Sequence, residues 1–291
     1  MIMPNPTLLP TVLRELFKTP DFERIPEPDL VMAESDQVEA YAEGGLNDSL
    51  SLLYLFNAVH CSKTISGARS VLDLGCGPGR QLCQIAALNP TTQFVGVDLS
   101  AEMLAHASAL ALERELANVR FELCDITALT AFKTGSFDAV ISTLALHHLP
   151  NSLLLERCFA EISRVLSPDG AVYLADFNRL KARTSVDFIS RRYQATEPEV
   201  LVRDFERSLL AAFDHSEFEA LRAAHLPRAA TTTMKYLPLL SLVATPPRAI
   251  APQLRSFAQA SRKALPKDFR GDLDDIRLMF KLAKLPGDPF C

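Results

Sequence analysis

The chain has 291 residues, of which 48% are hydrophobic and 22% are charged, and its 35 acidic side chains outnumber 30 basic ones. This composition is that of an ordinary globular protein, and it argues against a disordered chain, a collagen or a disulfide-rich scaffold. The formal net charge of −5 also argues against a surface that is basic throughout and built for nucleic acid.

No apolar run approaches the roughly 20 residues that a membrane helix needs. The chain's start lacks the basic residues of a secretory signal. The cysteines stand singly, without a CxxC pair or a metal-binding spacing. We therefore expect a reduced, cytoplasmic protein with no membrane segment and no bound metal. The six cysteines are Cys61, Cys76, Cys83, Cys124, Cys158 and Cys291.

The chain divides into three predicted regions. Apolar helical faces over residues 1–66 predict an N-terminal helical cap, and residues 248–291 predict a C-terminal helical extension broken by prolines. Residues 67–247 form the predicted central domain. From residue 69 to 177 short apolar runs alternate with helical patterns, which is typical of a parallel sheet with right-handed crossovers. Within the central domain, residues 181–226 predict an inserted helical cap, and residues 230–246 predict a closing strand pair.

The elements of the central region alternate along the chain. Continuous apolar runs predict strands buried on both faces of a sheet, and apolar residues at helical spacing predict the helices between them. We therefore expect an α/β, Rossmann-like fold with a mostly parallel seven-stranded sheet and helices on both faces. Ser100 stands where a helix N-cap belongs. The strands are expected at 69–75, 93–100, 118–125, 136–144 and 171–177, the helices at 79–90, 101–116 and 152–166, and a turn at 167–170.

A glycine-rich loop, VLDLGCGPGR (71–80), connects the first strand to the first helix. Glycine at Gly75, Gly77 and Gly79 lets the backbone turn tightly and lets a ligand lie against the main chain. Ligands of parallel sheets bind at the carboxyl ends of strands, where this loop lies. A dinucleotide-binding loop needs a small residue where Arg80 stands, and the Gly-Lys-Ser/Thr of a phosphate-binding loop is missing.

This loop, preceded by Asp73, resembles motif I of the class I S-adenosylmethionine-dependent methyltransferases. The resemblance continues with Asp98 and Asp125 at the ends of the second and third strands. It extends through FDAVISTLALHHL (137–149) and RVLSPDGAVYLADF (164–177). Within this family, the sequence is similar to small-molecule enzymes of ubiquinone and menaquinone biosynthesis. The resemblance implies S-adenosylmethionine as the cofactor and S-adenosylhomocysteine as the product.

The resemblance also implies roles for individual residues. Asp98 is expected to accept hydrogen bonds from both ribose hydroxyls, and Asp125 is expected to meet the adenine amino group while Ile126 lies on the ring. Asp73 would hold the glycine loop or meet the amino-acid end of the cofactor. The full set of expected cofactor-binding residues is Asp73, Gly75, Cys76, Gly77, Gly79, Asp98, Leu99, Asp125, Ile126 and Ser142.

His147 and His148 follow the fourth strand and are the candidate catalytic residues. An imidazole with a pKa near 6.5 suits a general base. However, a base is needed only when the acceptor carries a proton at the working pH. The alternative for both histidines is packing or hydrogen bonding within the loop.

Several other side chains are candidates for the acceptor site. Tyr41, ahead of Gly44 and Gly45, is expected either to cover the cofactor pocket or to end a surface helix. Tyr54, Phe56 and Phe188 have spacings that fit either an acceptor pocket or the core. Cys76 and Cys124 raise the idea of an arsenic acceptor, but the sequence shows no convincing cysteine cluster.

Methyl transfer to a small, partly hydrophobic metabolite, by in-line displacement at the sulfonium methyl, is the function that these motifs favour. The helical caps would select the acceptor. One alternative is a protein or RNA acceptor docked through the basic 248–291 tail, although no long basic groove for nucleic acid is visible. Another is a non-catalytic partner protein that binds S-adenosylmethionine. We expect a monomer or a homodimer.

Overall fold

The computed structural model describes residues 5–28, 50–192, 194–195, 197–248 and 250–291. Its strands form one sheet, as expected. In chain order they are β1 (Ser70–Leu74), β2 (Gln93–Asp98), β3 (Val119–Leu123), β4 (Phe137–Thr143), β5 (Leu166–Phe177), β6 (Ala230–Thr233) and β7 (Leu240–Ala244).

The seven strands lie in the order β3-β2-β1-β4-β5-β7-β6. Strands β1 to β5 pair in parallel, and β7 runs antiparallel to both β5 and β6. The strand order reverses between β1 and β4, which is where ligands bind in open sheets of this kind. The mostly parallel seven-stranded sheet and the closing strand pair are therefore confirmed.

Helices cover the sheet and form the caps. The helix after β2 begins at the expected N-cap, where the Ser100 hydroxyl accepts a hydrogen bond from the Met103 amide. The described α-helices are α1 (Leu9–Phe17), α2 (Leu50–Thr64), α3 (Arg80–Leu88), α4 (Ala101–Glu113), α5 (Ser152–Val165), α6 (Arg183–Ser190), α7 (Glu199–Ala211), α8 (His215–His225), α9 (Pro252–Ala264) and α10 (Lys267–Leu282).

The expected turn at 167–170 is wrong, since these residues lie within β5. Phe137 of β4 pairs with Leu166, and Ala139 pairs with Ala171. The four residues between Leu166 and Ala171 therefore stand opposite Asp138 alone, and they form an irregularity in the strand. Proline, aspartate and glycine favour turns by composition, but here they lie in the irregular part of a strand.

The caps and the sheet share one hydrophobic core. Phe56 of α2 is fully buried and stacks on Phe280 of α10, with 5.1 Å between ring centroids. Both belong to the apolar cluster that includes Val71 and Ile141 of the sheet. The C-terminal helices thus complete the core rather than form a detached tail. The expected region boundaries at 66/67 and 247/248 stay predictions.

The C-terminal residues are also joined by ion pairs. Arg277 bonds both Asp274 and Asp288, at 2.7 Å each, and Arg262 pairs with Asp274. Part of the tail's basic charge is therefore neutralised within the tail itself. No helix in the described residues is long and apolar enough to cross a membrane.

Candidate functional site

A cavity of about 310 Å³ opens at the carboxyl ends of the parallel strands, as expected for this sheet. The glycine loop, the ends of β2 and β4, and helix α7 contribute to its wall. Its described lining includes Tyr54, Gly75, Cys76, Gly77, Arg80, Asp98, Leu99, Asp125, Ile126, Leu144, His147, His148, Phe177, Phe205 and Ser208.

The glycine loop has the backbone that its sequence predicts. Gly75, Gly77 and Gly79 all have positive φ, at 68°, 52° and 76°. A Cβ on Gly75 would lie 2.6 Å from that of Ala145, and one on Gly79 would lie 2.7 Å from that of Ala107. A Cβ on Gly77 would meet no protein atom within 4 Å. Packing therefore excludes side chains at the first and third glycines, whereas Gly77 faces the open cavity.

Asp98 ties the end of β2 to this loop. Its Oδ2 accepts a hydrogen bond from the Gly77 amide at 2.9 Å, and its Oδ1 accepts one from the Ser100 amide at 2.9 Å. The carboxylate remains part of the cavity wall. It is placed both to shape the loop and to accept hydrogen bonds from a ligand.

Two expected cofactor residues lie behind the wall. The Ser142 hydroxyl is buried and donates to the Leu74 carbonyl at 2.9 Å, which links β4 to β1, and its expected contact with the cofactor stays a prediction. Asp73 is buried in β1 and is absent from the described lining. Burial, together with the charge of Asp98, raises the pKa of Asp73 well above its usual range. Direct contact with a ligand is therefore not supported for either residue.

The far side of the cavity carries the expected adenine residues. Asp125 lies at the wall and accepts hydrogen bonds from the Thr127 amide and hydroxyl, at 2.7 and 2.8 Å. Ile126 and Cys76 are nearly buried, and Leu99 is exposed. All four line the cavity with Gly75 and Gly77, whereas Gly79 is absent from the described lining. The fold thus brings most of the expected cofactor set together.

The backbone is strained where β4 enters the cavity wall. Leu144, the residue after the strand, has a φ of 53°. This is the left-handed region, which residues other than glycine rarely adopt. Such strain is frequent at functional sites, where the surrounding structure maintains it. The turn leads directly into the short 3-10 helix Leu146–His148 that carries the two histidines.

His147 is buried and fixed by Asp176 at the end of β5. Its Nδ1 lies 2.7 Å from Asp176 Oδ1, while the other carboxylate oxygen accepts the Leu146 and His147 amides, at 2.6 and 3.1 Å. In the neutral imidazole that donates Nδ1–H to Asp176, Nε2 carries the lone pair. That Nε2 lies 3.8 Å from Oε1 of Glu27.

His148 is paired with Glu27, which lies near the end of the first described segment, residues 5–28. The distance from His148 Nδ1 to Glu27 Oε2 is 2.9 Å, and the Ser208 hydroxyl donates to Oε1 at 3.0 Å. Burial opposes ionisation of Glu27, but the hydrogen bond and charge of His148 outweigh it and lower the pKa of Glu27 to about 2. Burial acts against the charged imidazole too, yet Glu27 raises the pKa of His148.

Arg24 anchors this N-terminal segment beside the histidines. Its guanidinium donates to the carbonyls of His147 at 2.9 Å and Leu149 at 2.5 Å. It also lies 3.9 Å from the ring centroid of Phe213. Because these contacts join residues far apart in the chain, no local pattern could reveal them. The contact of Asp176 with His147 likewise joins two separate elements, the end of β5 and the 3-10 helix after β4.

Glu27, His147 and His148 form a group that could hold a metal ion, with ligand atoms all within 4.8 Å of one another. The expectation from sequence spacing that the chain binds no metal stays a prediction, and this group is a set of candidate ligands that the spacing does not reveal. The sequence missed it because Glu27 lies far from the two histidines in the chain.

The aromatic candidates separate into two groups. Tyr54 lines the cavity. Phe56 is a core residue, fully buried between His60 and Phe280, and Phe188 packs against the same core. Tyr41, Gly44 and Gly45 lie outside the described residues.

A family model described as a methyltransferase domain matches residues 65–228. The chain is 41% identical over 102 residues to trans-aconitate 2-methyltransferase from Deinococcus radiodurans, covering 35% of each protein. It is 34% identical over 131 residues to ubiquinone biosynthesis O-methyltransferase from Xanthomonas oryzae pv. oryzae, covering 45% of this chain and 52% of that protein. The match thus spans about half or less of these relatives' lengths.

Two solved structures resemble the fold. A SAM-dependent methyltransferase from Aquifex aeolicus aligns with a TM-score of 0.52 at 15% identity, covering 73% of this chain and 98% of that one. The plantazolicin methyltransferase BamL, solved in complex with a triazolic desmethylPZN analog and SAH, aligns with a TM-score of 0.54 at 16% identity, covering 81% of this chain and 86% of that one. The expected class I fold is therefore confirmed.

Proposed function

On the premise that the chain belongs to the methyltransferase-domain family, whose model covers residues 65–228, we propose that it is an S-adenosylmethionine-dependent methyltransferase acting on a small molecule. One observation carries the proposal beyond the family. Asp98 accepts a 2.9 Å hydrogen bond from the Gly77 amide at the cavity wall. A carboxylate that can accept hydrogen bonds from ribose hydroxyls therefore lies beside a residue that has no side chain. This is the pairing that the sequence motif implies for the cofactor.

The cofactor would extend across the switch point of the sheet. Its ribose would meet Asp98, and its adenine would meet Asp125 and Ile126. Gly75, Cys76 and Gly77 would adjoin the amino-acid end, since they line the cavity beside β1. A sulfonium is already a good leaving group, so alignment of the acceptor at attack distance is the protein's main contribution. The acceptor atom gains the methyl, and the sulfur keeps the electron pair of the broken bond.

The acceptor would lie at the end of the cavity that His147 and His148 line. Phe177 and Phe205 add apolar surface there, with 5.4 Å between their ring centroids. A cavity of about 310 Å³ is at the lower end of the range for small-molecule sites. The two relatives are named for trans-aconitate and for ubiquinone biosynthesis, both small molecules. We propose a small acceptor with apolar and polar parts, in contact with both histidines.

The macromolecular alternative is less well supported. Arg262 and Arg277 are engaged in ion pairs within the tail, and α10 contributes Leu273 and Phe280 to the core. Deleting the tail would therefore unfold the protein. Charge reversal at the exposed Arg255 and Lys263 of α9 tests docking instead. Undiminished methyl transfer to a protein or RNA acceptor by that variant would exclude docking through these residues.

Ligand-dependent melting tests the cofactor. S-adenosylhomocysteine, S-adenosylmethionine, NAD and NADP are added separately, and a ligand at 100 times its Kd should stabilise by about 2.7 kcal/mol. Stabilisation by the first two alone supports the proposal, whereas stabilisation by a nicotinamide cofactor alone overturns it. Transfer of a labelled methyl group to an acceptor from a metabolite panel would then exclude the non-catalytic alternative.

Asp98→Ala sharpens this test. It should weaken S-adenosylhomocysteine binding at least tenfold, or about 1.4 kcal/mol. Asp138→Ala is the matched control, because Asp138 also accepts two backbone amides, those of Arg69 and Ser70, at the opposite edge of the sheet. Equal affinity in the two variants would contradict the assignment of Asp98.

A further inference from the structure

Glu27, His147 and His148 form a cluster that the methyl-transfer proposal leaves without a defined chemistry. Their ligand atoms converge beside the acceptor end of the cavity, where both histidines belong to the wall. Two imidazole nitrogens and one carboxylate are a ligand set for divalent transition metals, including catalytic sites that keep an open position.

The spacing of the ligand atoms fits one shared ion. Glu27 Oε1 lies 3.8 Å from His147 Nε2, and Oε2 lies 2.9 Å from His148 Nδ1. Ligand atoms that each lie about 2.1 Å from a metal are separated by roughly 3 to 4 Å. The 3.8 Å between His147 Nε2 and Glu27 Oε1 is too long for a hydrogen bond. A hydrogen bond from a protonated His147 to Glu27 therefore does not explain why these two atoms face each other.

The surrounding contacts are those expected of a built site. Asp176 accepts from His147 Nδ1 at 2.7 Å, which directs the Nε2 lone pair toward Glu27. Ser208 donates to Glu27 at 3.0 Å and so orients the carboxylate. Metal-binding histidines generally donate their second N–H to a carboxylate or carbonyl in this manner. Side chains of His147 and Glu27 are 3% and 8% exposed, so both are held away from bulk water.

We propose that Glu27, His147 and His148 bind a first-row divalent transition-metal ion at the acceptor end of the cavity. This inference rests on the proposed function, and it narrows the acceptor to a molecule that coordinates through oxygen. An acceptor hydroxyl on the ion would lose its proton to water more readily. The oxygen would then attack the sulfonium methyl, giving a methyl ether, S-adenosylhomocysteine and one released proton.

The metal alone tests the site, without knowledge of the acceptor. Chelator-treated, untagged protein is titrated with Zn²⁺ by calorimetry and with Co²⁺ by visible absorption. We expect one ion per chain and a cobalt spectrum without sulfur-to-metal charge transfer. Because a metal binds only the deprotonated form of its ligands, binding should release protons, measured in buffers of different ionisation enthalpy.

Matched variants locate the ion. Glu27→Gln and His148→Ala should each weaken binding at least tenfold, since even outer partners of metal ligands contribute 10- to 100-fold. Glu23→Gln and His106→Ala, at positions outside the cluster, should bind as the wild type does. Melting curves establish that each variant is folded, and the use of two variants covers the failure of one to fold.

Two results would overturn the proposal. One is wild-type binding no tighter than that of the Glu27→Gln variant, and the other is binding through thiols, shown by sulfur charge transfer. S-adenosylhomocysteine is titrated in parallel. If S-adenosylhomocysteine binds the wild type and Glu27→Gln equally, the methyltransferase proposal stands whatever the metal titration shows. If it fails to bind the wild type, that result counts against the methyltransferase proposal and not against the metal site.

Discussion

Gly77→Ala separates backbone strain from ligand contact at the centre of the cofactor loop. Gly77 has a φ of 52°, and a Cβ there would meet no protein atom within 4 Å. The substitution therefore costs the protein only the left-handed backbone strain, about 1–2 kcal/mol. The added methyl would project into the cavity, where the cofactor is expected to approach the main chain.

Gly135 provides the control for strain. It has a φ of 67°, and a Cβ there likewise meets nothing within 4 Å, but it lies in an exposed loop ahead of β4. Gly135→Ala should cost a similar free energy of unfolding. For a domain of this size, each variant should lower Tm by about 2–8 °C in the absence of ligand.

The two variants should differ once S-adenosylhomocysteine is added. At 100 times the wild-type Kd, the ligand should stabilise the wild type and Gly135→Ala by about 2.7 kcal/mol. A tenfold weaker Kd in Gly77→Ala would reduce this to about 1.4 kcal/mol. Thermal melts and calorimetric titration measure both quantities. Equal affinities in the two alanine variants would refute the placement of the cofactor against Gly77.

Four further outcomes follow from named contacts. Burial lowers the pKa of Lys63 from 10.5 to about 8, and the charge of Asp288 offsets part of this shift. Between these two pH values the unfolded state therefore binds more protons than the folded state, so the folded state gains stability as the pH rises. In denaturant melts, the stability of the wild type relative to Lys63→Met should rise by up to roughly 3 kcal/mol from pH 8 to 10.5. Ser142→Ala should lose about 1 kcal/mol of stability, as its single hydrogen bond suggests, with S-adenosylhomocysteine affinity unchanged in titration. Arg24→Met should speed amide exchange around Leu149 and Pro150, whose carbonyls it binds, and an unchanged exchange rate would exclude the anchoring role. Phe56→Ala should lower the free energy of unfolding by about 3–5 kcal/mol, since the ring is fully buried, and a loss below 1 kcal/mol in urea melts would contradict this.

The pattern of the sequence determined the sheet and the cofactor end of the cavity. Strand-length apolar runs separated by helical spacing predict parallel strands, and all five expected strands are present, with β6 and β7 in the expected closing region. Gly75 and Gly77 lie in the loop after β1 and Asp98 is the last residue of β2, so the geometry of a parallel sheet brings them together at the carboxyl ends of the strands. Ser142 shows where this reasoning ends, because alternate residues of a strand face opposite sides and a position near the edge does not show which side it faces.

Only the tertiary structure decided the acceptor end. Glu27 reaches His148, and Arg24 reaches the His147 carbonyl, across more than a hundred intervening residues. Phe56 belongs to the core rather than the cavity because α10 packs against it. Local sequence patterns show the hydrophobic period of each element and the residue at which each strand ends, and these two features place the cofactor loop. Contacts between distant segments depend instead on how the caps pack on the sheet. The acceptor end consists of such contacts, so the sequence predicted its two histidines but not the carboxylates that hold them.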